Sequence, residues 1–286
     1  MKELRGRVAV ITGAGSGIGA ALARACSEAG MSLVLSDVEQ AALDGVADEI
    51  RSRAGNVETL VLDVRDPAAL EALAERAYGA FGACHLLVNN AGVVIFKPVA
   101  KLTLADWDWV LSVNLRGVIH GLAAFVPRMR VQQGEAHIVN TASINGLIPM
   151  GGAGLAAYAA SKYAVVAISE SLRVELEPDQ IGVSVVCPGG VATRITQSER
   201  NRPAELRDGS EPKPLPDMAA AVDELGRSES ILSPGDVAGR ILDAVRENEL
   251  YVITHPDYLD EIRKRHRAIE AAFERAASRA QPRAPD

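Results

Sequence analysis

A tyrosine and a lysine stand four residues apart in the stretch LAAYAASKYAVVAISESL, residues 155–172. The stretch has a helical composition, and residues four apart share one helix face. Small side chains surround Tyr158 and Lys162 in the sequence. An ammonium about 4 Å from a phenol, at an effective dielectric of about 20, favours the phenolate by about 4 kcal/mol. That is about 3 pKa units, which predicts a tyrosine with a pKa near 7 that acts as a general acid or base.

A glycine-rich segment, VAVITGAGSGIGAALARA, begins the chain's first strand–helix pattern at residues 8–25. Gly13, Gly17 and Gly19 allow the backbone to approach a pyrophosphate closely, and a helix N-terminus supplies free N–H groups beside it. The strand before the glycines, the helix after them and an acidic residue following the next strand strengthen this interpretation. The segment therefore predicts a dinucleotide site.

The acidic residue is Asp37, which ends the run LVLSD. Its position suits a carboxylate that accepts hydrogen bonds from the adenosine ribose hydroxyls. The alternative is that Asp37 only caps the helix beginning near Glu39. Neither the loop nor positions 36–38 contain Lys or Arg, so the local sequence offers no partner for a 2′-phosphate. The predicted cofactor is therefore NAD.

Strands and helices that alternate regularly along the sequence are predicted to position these residues. Nearly continuous apolar runs predict strands buried on both faces, as in a parallel sheet. Helical patterns separate them, which predicts right-handed βαβ units and an α/β fold with one doubly wound, seven-stranded parallel sheet and helices on both faces. The predicted strands cover residues 8–12, 32–36, 58–64, 85–91, 136–143, 182–188 and 250–254.

Capping signals locate several helix starts. Asp66 precedes Pro67, which suits an N-cap followed by the first helical position. A capping box is expected for Thr103 and Asp106, and another begins at Ser233.

Two regions depart from this alternation. Residues 194–232 are polar and proline-rich, with a short helical piece near 217–225, and are expected to form a loop over the substrate. Residues 257–278 predict an extra helix with an apolar stripe that packs on the domain or on a partner subunit. The predicted organisation is one domain over 1–254, holding the catalytic site and the 194–232 insert, and a C-terminal helical extension with a disordered tail over 255–286.

Composition excludes several classes of protein. The 286 residues carry a net charge of −7, which argues against nucleic-acid binding. No apolar run of about 18 residues and no signal peptide is recognisable, so we expect a cytoplasmic protein that does not bind a membrane. The three cysteines are scattered, and the histidines have no acidic or cysteine partners, so neither a disulfide framework nor a metal site is expected.

Further motifs complete an ordered set: NNAG at 89–92, SVN at 112–114, a serine ending the fifth strand, and PGGVAT at 188–193. Together with TGxxxGxG from Thr12 to Gly19 and YxxxK from Tyr158 to Lys162, they follow the order and approximate spacing of the short-chain dehydrogenase/reductase family. The chain resembles this family over residues 5 to about 254. The resemblance implies a Rossmann fold that binds a nicotinamide cofactor.

The resemblance also implies a catalytic set. Tyr158 corresponds to the general acid/base, Lys162 tunes it, and Ser143 hydrogen-bonds the reacting oxygen. Asn114 corresponds to the family's asparagine, which holds a water molecule linking the lysine to solvent. The fifteen residues from Ser143 to Tyr158 are two more than the family pattern leads us to expect.

Cofactor contacts are carried over from the same resemblance. The phosphate turn includes Ser16 and Ile18 with the glycines, and Asp63 and Val64 correspond to the adenine contact. Asn90 lies by the ribose in this scheme. The nicotinamide-side segment comprises Pro188, Gly189, Val191 and Thr193, while Tyr158 and Lys162 also contact the cofactor.

The sequence thus predicts an NAD-dependent oxidoreductase that interconverts a secondary alcohol and a ketone. The insert, the glycines of 151–154 and Phe96 favour a bulky, apolar substrate contacted by Ser143, Tyr158 and Phe96. One alternative is an NADPH-dependent carbonyl or 3-oxoacyl reductase, and another is a dinucleotide-sensing regulator on the same fold. Apolar helices around Asn114 and Tyr158 predict a homodimer or homotetramer. The identity of the substrate and the direction of the reaction stay open.

Overall fold

Seven parallel strands form one sheet in the computed structural model, in the order β3-β2-β1-β4-β5-β6-β7. The structure describes residues 1–132, 134–149, 154–207 and 231–280. The predicted α/β class and all seven predicted strands are confirmed. The strands are β1 Val8–Thr12, β2 Ser32–Asp37, β3 Val57–Val61, β4 Leu86–Asn89, β5 Ala136–Thr141, β6 Ile181–Cys187 and β7 Tyr251–Ile253.

Helices cover both faces of the sheet, and neighbouring strand residues point to opposite cores. Ile11 of β1 packs in a cluster with Leu22 and Leu43, whereas Val10 packs in another with Phe125. Because side chains alternate in direction along a strand, each strand contributes residues to two apolar layers, one on each face of the sheet. The helices are α1 Gly17–Glu28, α2 Gln40–Ser52, α3 Pro67–Phe81, α4 Leu104–Leu111, α5 Gly117–Val131, α6 Ala156–Glu175 and α7 Pro234–Glu247.

The predicted caps are present. The Asp66 carboxylate accepts a hydrogen bond from the Ala68 N–H, with Pro67 at the first helical position. Capping boxes join Thr103 to Asp106 and Ser233 to Asp236. These local bonds satisfy backbone N–H groups that would otherwise lack partners, so they define where α3, α4 and α7 begin.

A π-helical turn, Ser112–Arg116, separates α4 from α5. By length and composition the run Leu104–Val131 could cross a membrane, with a mean hydropathy of 1.4 in its most apolar window. In the fold, however, Trp109 and Phe125 of this run are among the largest fully buried side chains. The apolar composition is thus explained by packing against the sheet.

Strand order reverses between β1 and β4, the neighbours from which the chain proceeds in opposite directions across the sheet. In doubly wound sheets a crevice forms there, beyond the carboxyl ends of the strands. Gly13 follows β1 and Asn90 follows β4, so both lie at this crevice. The reversal therefore brings the glycine-rich turn next to the NNAG segment.

The segment after β6 contains two 3-10 helices, Arg194–Asn201 and Ala204–Leu206. The predicted helical piece near 217–225 and most of the glycine-rich stretch 151–154 lie outside the described residues. The chain divides into two compact units, Met1–Thr254 and His255–Asp286. The second unit contains helix α8, Leu259–Ala280, which confirms the predicted extra helix. Most of the predicted tail lies outside the described residues, and the partner of the helix's apolar stripe stays a prediction.

Candidate active site

The glycine-rich turn folds tightly on itself between β1 and α1. Gly13 has a positive φ of 65°, which side chains disfavour. A Cβ atom at Gly19 would lie 2.2 Å from the Gly13 carbonyl oxygen, so only glycine fits there. Ser16 is the N-cap of α1, but its side chain makes no capping hydrogen bond. The first N–H groups of α1, beside Gly17 and Ile18, therefore suit a phosphate ligand.

Asp37 organises this turn as well as facing the cleft. One carboxylate oxygen accepts a hydrogen bond from the Gly15 N–H at 2.8 Å, and the other accepts from the Glu39 N–H at 3.0 Å. The bond from the Glu39 N–H matches the interpretation of Asp37 as a cap at the start of the helix, and its contact with the ribose stays a prediction. The contact with Glu39 lies at the start of α2, and the contact with Gly15 ties the end of β2 to the phosphate turn.

Asn90 links the two strands at the reversal. Its side-chain amide donates to the carbonyl oxygens of Thr12 at 3.0 Å and Gly13 at 3.2 Å. The Thr12 hydroxyl accepts hydrogen bonds from the N–H groups of Asn90 and Ala91. These bonds hold the glycine turn and the NNAG segment in fixed relative positions.

Ser143, Tyr158 and Lys162 come together on one side of the cleft. The Ser143 hydroxyl lies close enough to Tyr158 to influence its pKa, and the Lys162 ammonium lies 5.6 Å from the centroid of the Tyr158 ring. Lys162 also donates to the Thr141 carbonyl oxygen at 2.7 Å. Helix α6 carries Tyr158 and Lys162 on one face, whereas Ser143 and Thr141 come from the end of β5.

The sequence-based estimate of a phenol with a pKa near 7 is wrong for the free protein. Burial raises the pKa of Tyr158 to about 12, and the nearby Ser143 hydroxyl acts in the opposite direction. Burial also lowers the pKa of the Lys162 ammonium to about 8. The spacing of the two residues correctly predicts that they share a face. It does not reveal that both are buried, and burial shifts the pKa of each group so as to favour its uncharged form.

Asn114 lies behind the cleft in the π-helical turn and is fully buried. Its side-chain oxygen accepts from the Val93 N–H at 2.8 Å, and its amide donates to the Val93 carbonyl at 2.9 Å and the Ser161 hydroxyl at 3.1 Å. Asn114 thus joins the segment after β4 to α6, the helix that carries Tyr158. Its expected role in holding a water molecule stays a prediction.

One cavity collects most of the predicted site residues. Gly19, Asn114 and Phe96 are not among the described residues that line it. Phe96, expected at the substrate, is instead 38% exposed. The predicted residues that do line the cavity are Gly13, Ser16, Gly17, Ile18, Asp37, Asp63, Val64, Asn90, Ser143, Tyr158, Lys162, Pro188, Gly189, Val191 and Thr193.

Arginines that the local sequence did not reveal also line this cavity. Arg65 follows β3, and Arg194 and Arg200 come from the insert. Glu39, on the opposite wall, accepts hydrogen bonds from Arg200, and Arg65 pairs with Asp63 at 2.8 Å. The sequence-based prediction considered only the phosphate turn and positions 36–38, so it did not include cations contributed by other loops.

A second ionic cluster fastens the insert to α4. The buried Asp106 carboxylate pairs with Arg202 and Lys97, both at 2.7 Å, and the Arg202 guanidinium lies 5.2 Å from the Trp109 ring centroid. Arg202 is only 5% exposed at its side chain. Because both the acid and this arginine are buried, the pair fixes the path of the chain beyond Asn201.

A dinucleotide fits this site, because the glycine-rich turn allows close approach of its phosphates, the start of α1 is uncapped and Asp37 provides a carboxylate. Within the described ranges, no cluster of three His, Cys, Asp or Glu residues could hold a metal ion. The chain belongs to the short-chain dehydrogenase/reductase family, since the family model described as short chain dehydrogenase matches residues 7–204. It is an enzyme of this oxidoreductase class, whose members bind a nicotinamide dinucleotide.

Two named dehydrogenases and one crystal structure are similar to this chain. The chain is 35% identical to a C alpha-dehydrogenase of Sphingobium sp. strain SYK-6, covering 94% of this chain and 87% of that protein. It is 39% identical to a 1-deoxy-11-beta-hydroxypentalenate dehydrogenase of Streptomyces avermitilis, covering 68% of this chain and 72% of that protein. A crystal structure of a family member from Burkholderia phymatum in complex with NAD is 40% identical, with a TM-score of 0.86 and coverage of 100% and 99% of the two chains.

Proposed function

We propose that this protein is an NAD-dependent oxidoreductase that interconverts a secondary alcohol and a ketone. The observation that carries the proposal is a single cavity that joins the glycine turn and Asp37 to Ser143, Tyr158 and Lys162. A dinucleotide bound along this cavity would have its adenosine ribose near Asp37 and its reactive ring near Tyr158. The similar protein from Burkholderia phymatum, whose structure contains NAD, supports the choice of cofactor.

The residues of the site provide for movement of a proton. The hydroxyls of Ser143 and Tyr158, which both line the cavity, can together hold one substrate oxygen, with Tyr158 accepting its proton during oxidation and returning it during reduction. The cofactor, when bound, supplies the hydride acceptor or donor, and its oxidised ring adds a positive charge. Lys162 presents a second positive charge beside the ring of Tyr158. Both charges favour the phenolate, against the burial that raises the pKa of Tyr158 to about 12.

NAD is preferred over NADP in this proposal because the Asp37 carboxylate lies where a 2′-phosphate would carry about two negative charges. At an effective dielectric of about 40 and about 4 Å, the repulsion is about 4 kcal/mol. After discounting for salt and loop movement, we expect at least a ~100-fold preference for NAD in kcat/KM, about 2.7 kcal/mol. An NADPH-dependent reductase is the second candidate, favoured by the arginines on the cavity wall. Their pairing with Glu39 and Asp63 weakens that case.

The substrate is proposed to be bulky and apolar. Supporting this, the cavity is lined by the apolar residues Val93, Val113 and Ile195 as well as by Tyr158. A comparison of cyclic or aryl secondary alcohols with 2-propanol tests the proposal. A higher kcat/KM for 2-propanol would contradict it.

The activity is tested by mixing the protein with NAD⁺ and a panel of secondary alcohols and following NADH absorbance. Tyr158→Phe removes only the phenolic oxygen, so we expect an unchanged fold and NADH affinity but a loss of turnover of at least about 10²-fold. Tyr163→Phe, on the same helix, is the matched control and should keep turnover. Near-normal turnover of Tyr158→Phe would overturn the assignment of the acid/base, and failure to bind either dinucleotide would overturn the proposed function.

We also propose a cytoplasmic protein that is at least a dimer. The three cysteines are buried and unpaired, as a reducing compartment favours. Apolar side chains exposed on the proposed dimer helices, Ile119 of α5 and Val174 of α6, support an interface there. Light scattering at micromolar concentration tests the assembly, and a monomer would refute it.

A further inference from the structure

Glu39 lies two residues beyond Asp37, at the N-cap of α2, and binds the insert. One of its carboxylate oxygens accepts two hydrogen bonds from Arg200, at 2.9 and 2.6 Å, and one from the Asn201 amide at 2.9 Å. The other oxygen lies 3.8 Å from Arg194. A single carboxylate therefore engages three side chains that are about 160 residues away in the sequence.

These groups all face the cavity that holds Asp37. Asp37, Glu39, Arg194, Arg200 and Asn201 line it together. The Glu39 backbone N–H donates to the Asp37 carboxylate, which ties that carboxylate to the residue that binds the insert. Two guanidinium groups thus stand at the end of the cleft where the 2′-substituent of an adenosine ribose would lie.

Guanidinium groups bind phosphates strongly, through charge and through paired N–H donors. Here four of the five N–H donors of Arg200 are engaged. One terminal nitrogen donates to the carbonyl oxygens of Arg194 and Gln197, at 3.1 and 2.9 Å, and Glu39 accepts from the other two nitrogens. With Glu39 in place, the charge of Arg200 is neutralised by an ion pair, and the guanidinium cannot offer paired N–H donors to a phosphate.

We propose that Glu39 is a coenzyme-specificity residue, which excludes NADP by holding Arg200 in an ion pair and so withholding it from the 2′-phosphate. This inference rests on the proposed function, because it assigns a role within the dinucleotide site. It separates two effects at the ribose: Asp37 repels the phosphate directly, whereas Glu39 removes the partner that would attract it.

The test is a measurement of dissociation constants for NAD⁺ and NADP⁺ by calorimetry, which needs no turnover. Glu39→Ala should strengthen NADP⁺ binding at least ~10-fold, the effect of about one charge-assisted hydrogen bond. The gain should shrink at high salt, since the released guanidinium is partly exposed. Glu39→Gln, which keeps the shape and loses the charge, should give a smaller gain. Since the Glu39 side chain makes no capping hydrogen bond, its removal should not disturb the start of α2.

Two further variants make the test specific. Glu39→Ala combined with Arg200→Met should lose the gain in NADP⁺ affinity, because the freed guanidinium would no longer be present. Glu49→Ala is the matched control: Glu49 pairs with Arg24 and Arg53, has a similar exposure of 33%, and does not line the cavity among the described residues. It changes net charge equally and should leave NADP⁺ affinity unaltered.

The inference is overturned if Glu39→Ala binds NAD⁺ normally and NADP⁺ no better than the unmodified protein. It is overturned equally if the gain survives the loss of Arg200, since repulsion by Glu39 would then explain it. If the unmodified protein bound neither dinucleotide, the proposed function would fail as well.

Discussion

Replacing Lys162 by methionine should abolish activity and yet stabilise the fold at neutral pH. The Lys162 ammonium is buried, with 2% of the residue exposed, and burial lowers its pKa from the ordinary 10.5 to about 8. Each pKa unit is about 1.36 kcal/mol, so keeping this charge inside the protein costs about 3 kcal/mol. Methionine retains most of the apolar stem and carries no charge.

One contribution opposes this gain. Lys162 donates to the Thr141 carbonyl oxygen, and a buried acceptor that loses its donor costs about 1–3 kcal/mol. We therefore expect Lys162→Met to be about 1 kcal/mol more stable than the unmodified protein at pH 7.

The sign of this difference depends on pH. The cost of the charge is fully present below the folded-state pKa of about 8 and has vanished above the ordinary value of 10.5. About 2 kcal/mol of it should be lost by pH 9.5. At that pH the stabilisation from the hydrogen bond to Thr141 exceeds the remaining cost of the buried charge. The stability advantage of the methionine variant should therefore shrink or reverse.

Urea unfolding followed by circular dichroism at pH 7 and pH 9.5 measures the difference. Lys101→Met, at an exposed position, is the matched control and should show a difference that is small at both pH values. The reasoning would be refuted if Lys162→Met were clearly less stable at pH 7, or if its stability difference were the same at the two pH values.

Three other perturbations have equally direct readouts. Gly19→Ala should weaken dinucleotide binding at least ~10-fold by calorimetry, because its Cβ would overlap the phosphate turn, whereas Gly79→Ala, with nothing within 4 Å, should leave binding intact and stabilise α3 by about 0.5–1 kcal/mol. Asp106→Asn removes the buried carboxylate that pairs with Arg202 and Lys97, leaving Arg202 only the partly exposed Glu199 at 3.3 Å, and should cost about 3 kcal/mol in urea unfolding. Burial acts to raise the pKa of Asp106, but its hydrogen bonds outweigh burial and lower it to about 2, so the stability it contributes is present above about pH 4 and is lost as the pH falls through 2; the variant should lack that loss on acid titration. Asp37→Ala should weaken NAD⁺ binding and strengthen NADP⁺ binding, and an unchanged ratio of the two dissociation constants would contradict its proposed role.

Features whose signal lies in neighbouring residues could be predicted from the sequence. Buried parallel strands are continuous apolar runs, and capping boxes such as Thr103 with Asp106 are short motifs with a local mechanism. The glycine turn has the same character, because the backbone conformation that requires glycine at Gly13 and Gly19 is formed within eight residues of the chain. The doubly wound class of the sheet followed from the alternation with helices, since right-handed crossovers restrict the possible topologies.

Features that depend on distant residues could not be predicted. The contact between Glu39 and Arg200 joins positions 161 apart, and no motif in the sequence around either residue predicts it. The spacing of Tyr158 and Lys162 predicts a shared face but not the depth of burial, so even the direction of the pKa shift of the phenol was wrong. Phe96 follows NNAG closely in the sequence but is not among the described residues that line the cavity, so its contact with substrate stays a prediction.

The π-helical turn that contains Asn114 sets the rotation of α5 about the helix axis relative to α4. Its wider loop, closed by the Gly117 N–H on the Ser112 carbonyl, accommodates one residue more than an α-helical turn would. Each α-helical residue advances the helix by about 100°, so deleting one residue from 112–116 would rotate everything after it by that angle relative to α4. Phe125 and its neighbours would then leave the apolar layer, or Asn114 would leave Val93 and Ser161. The alignment between the packing face of α5 and the support of the active site therefore depends on the length of this turn as much as on the residues in it.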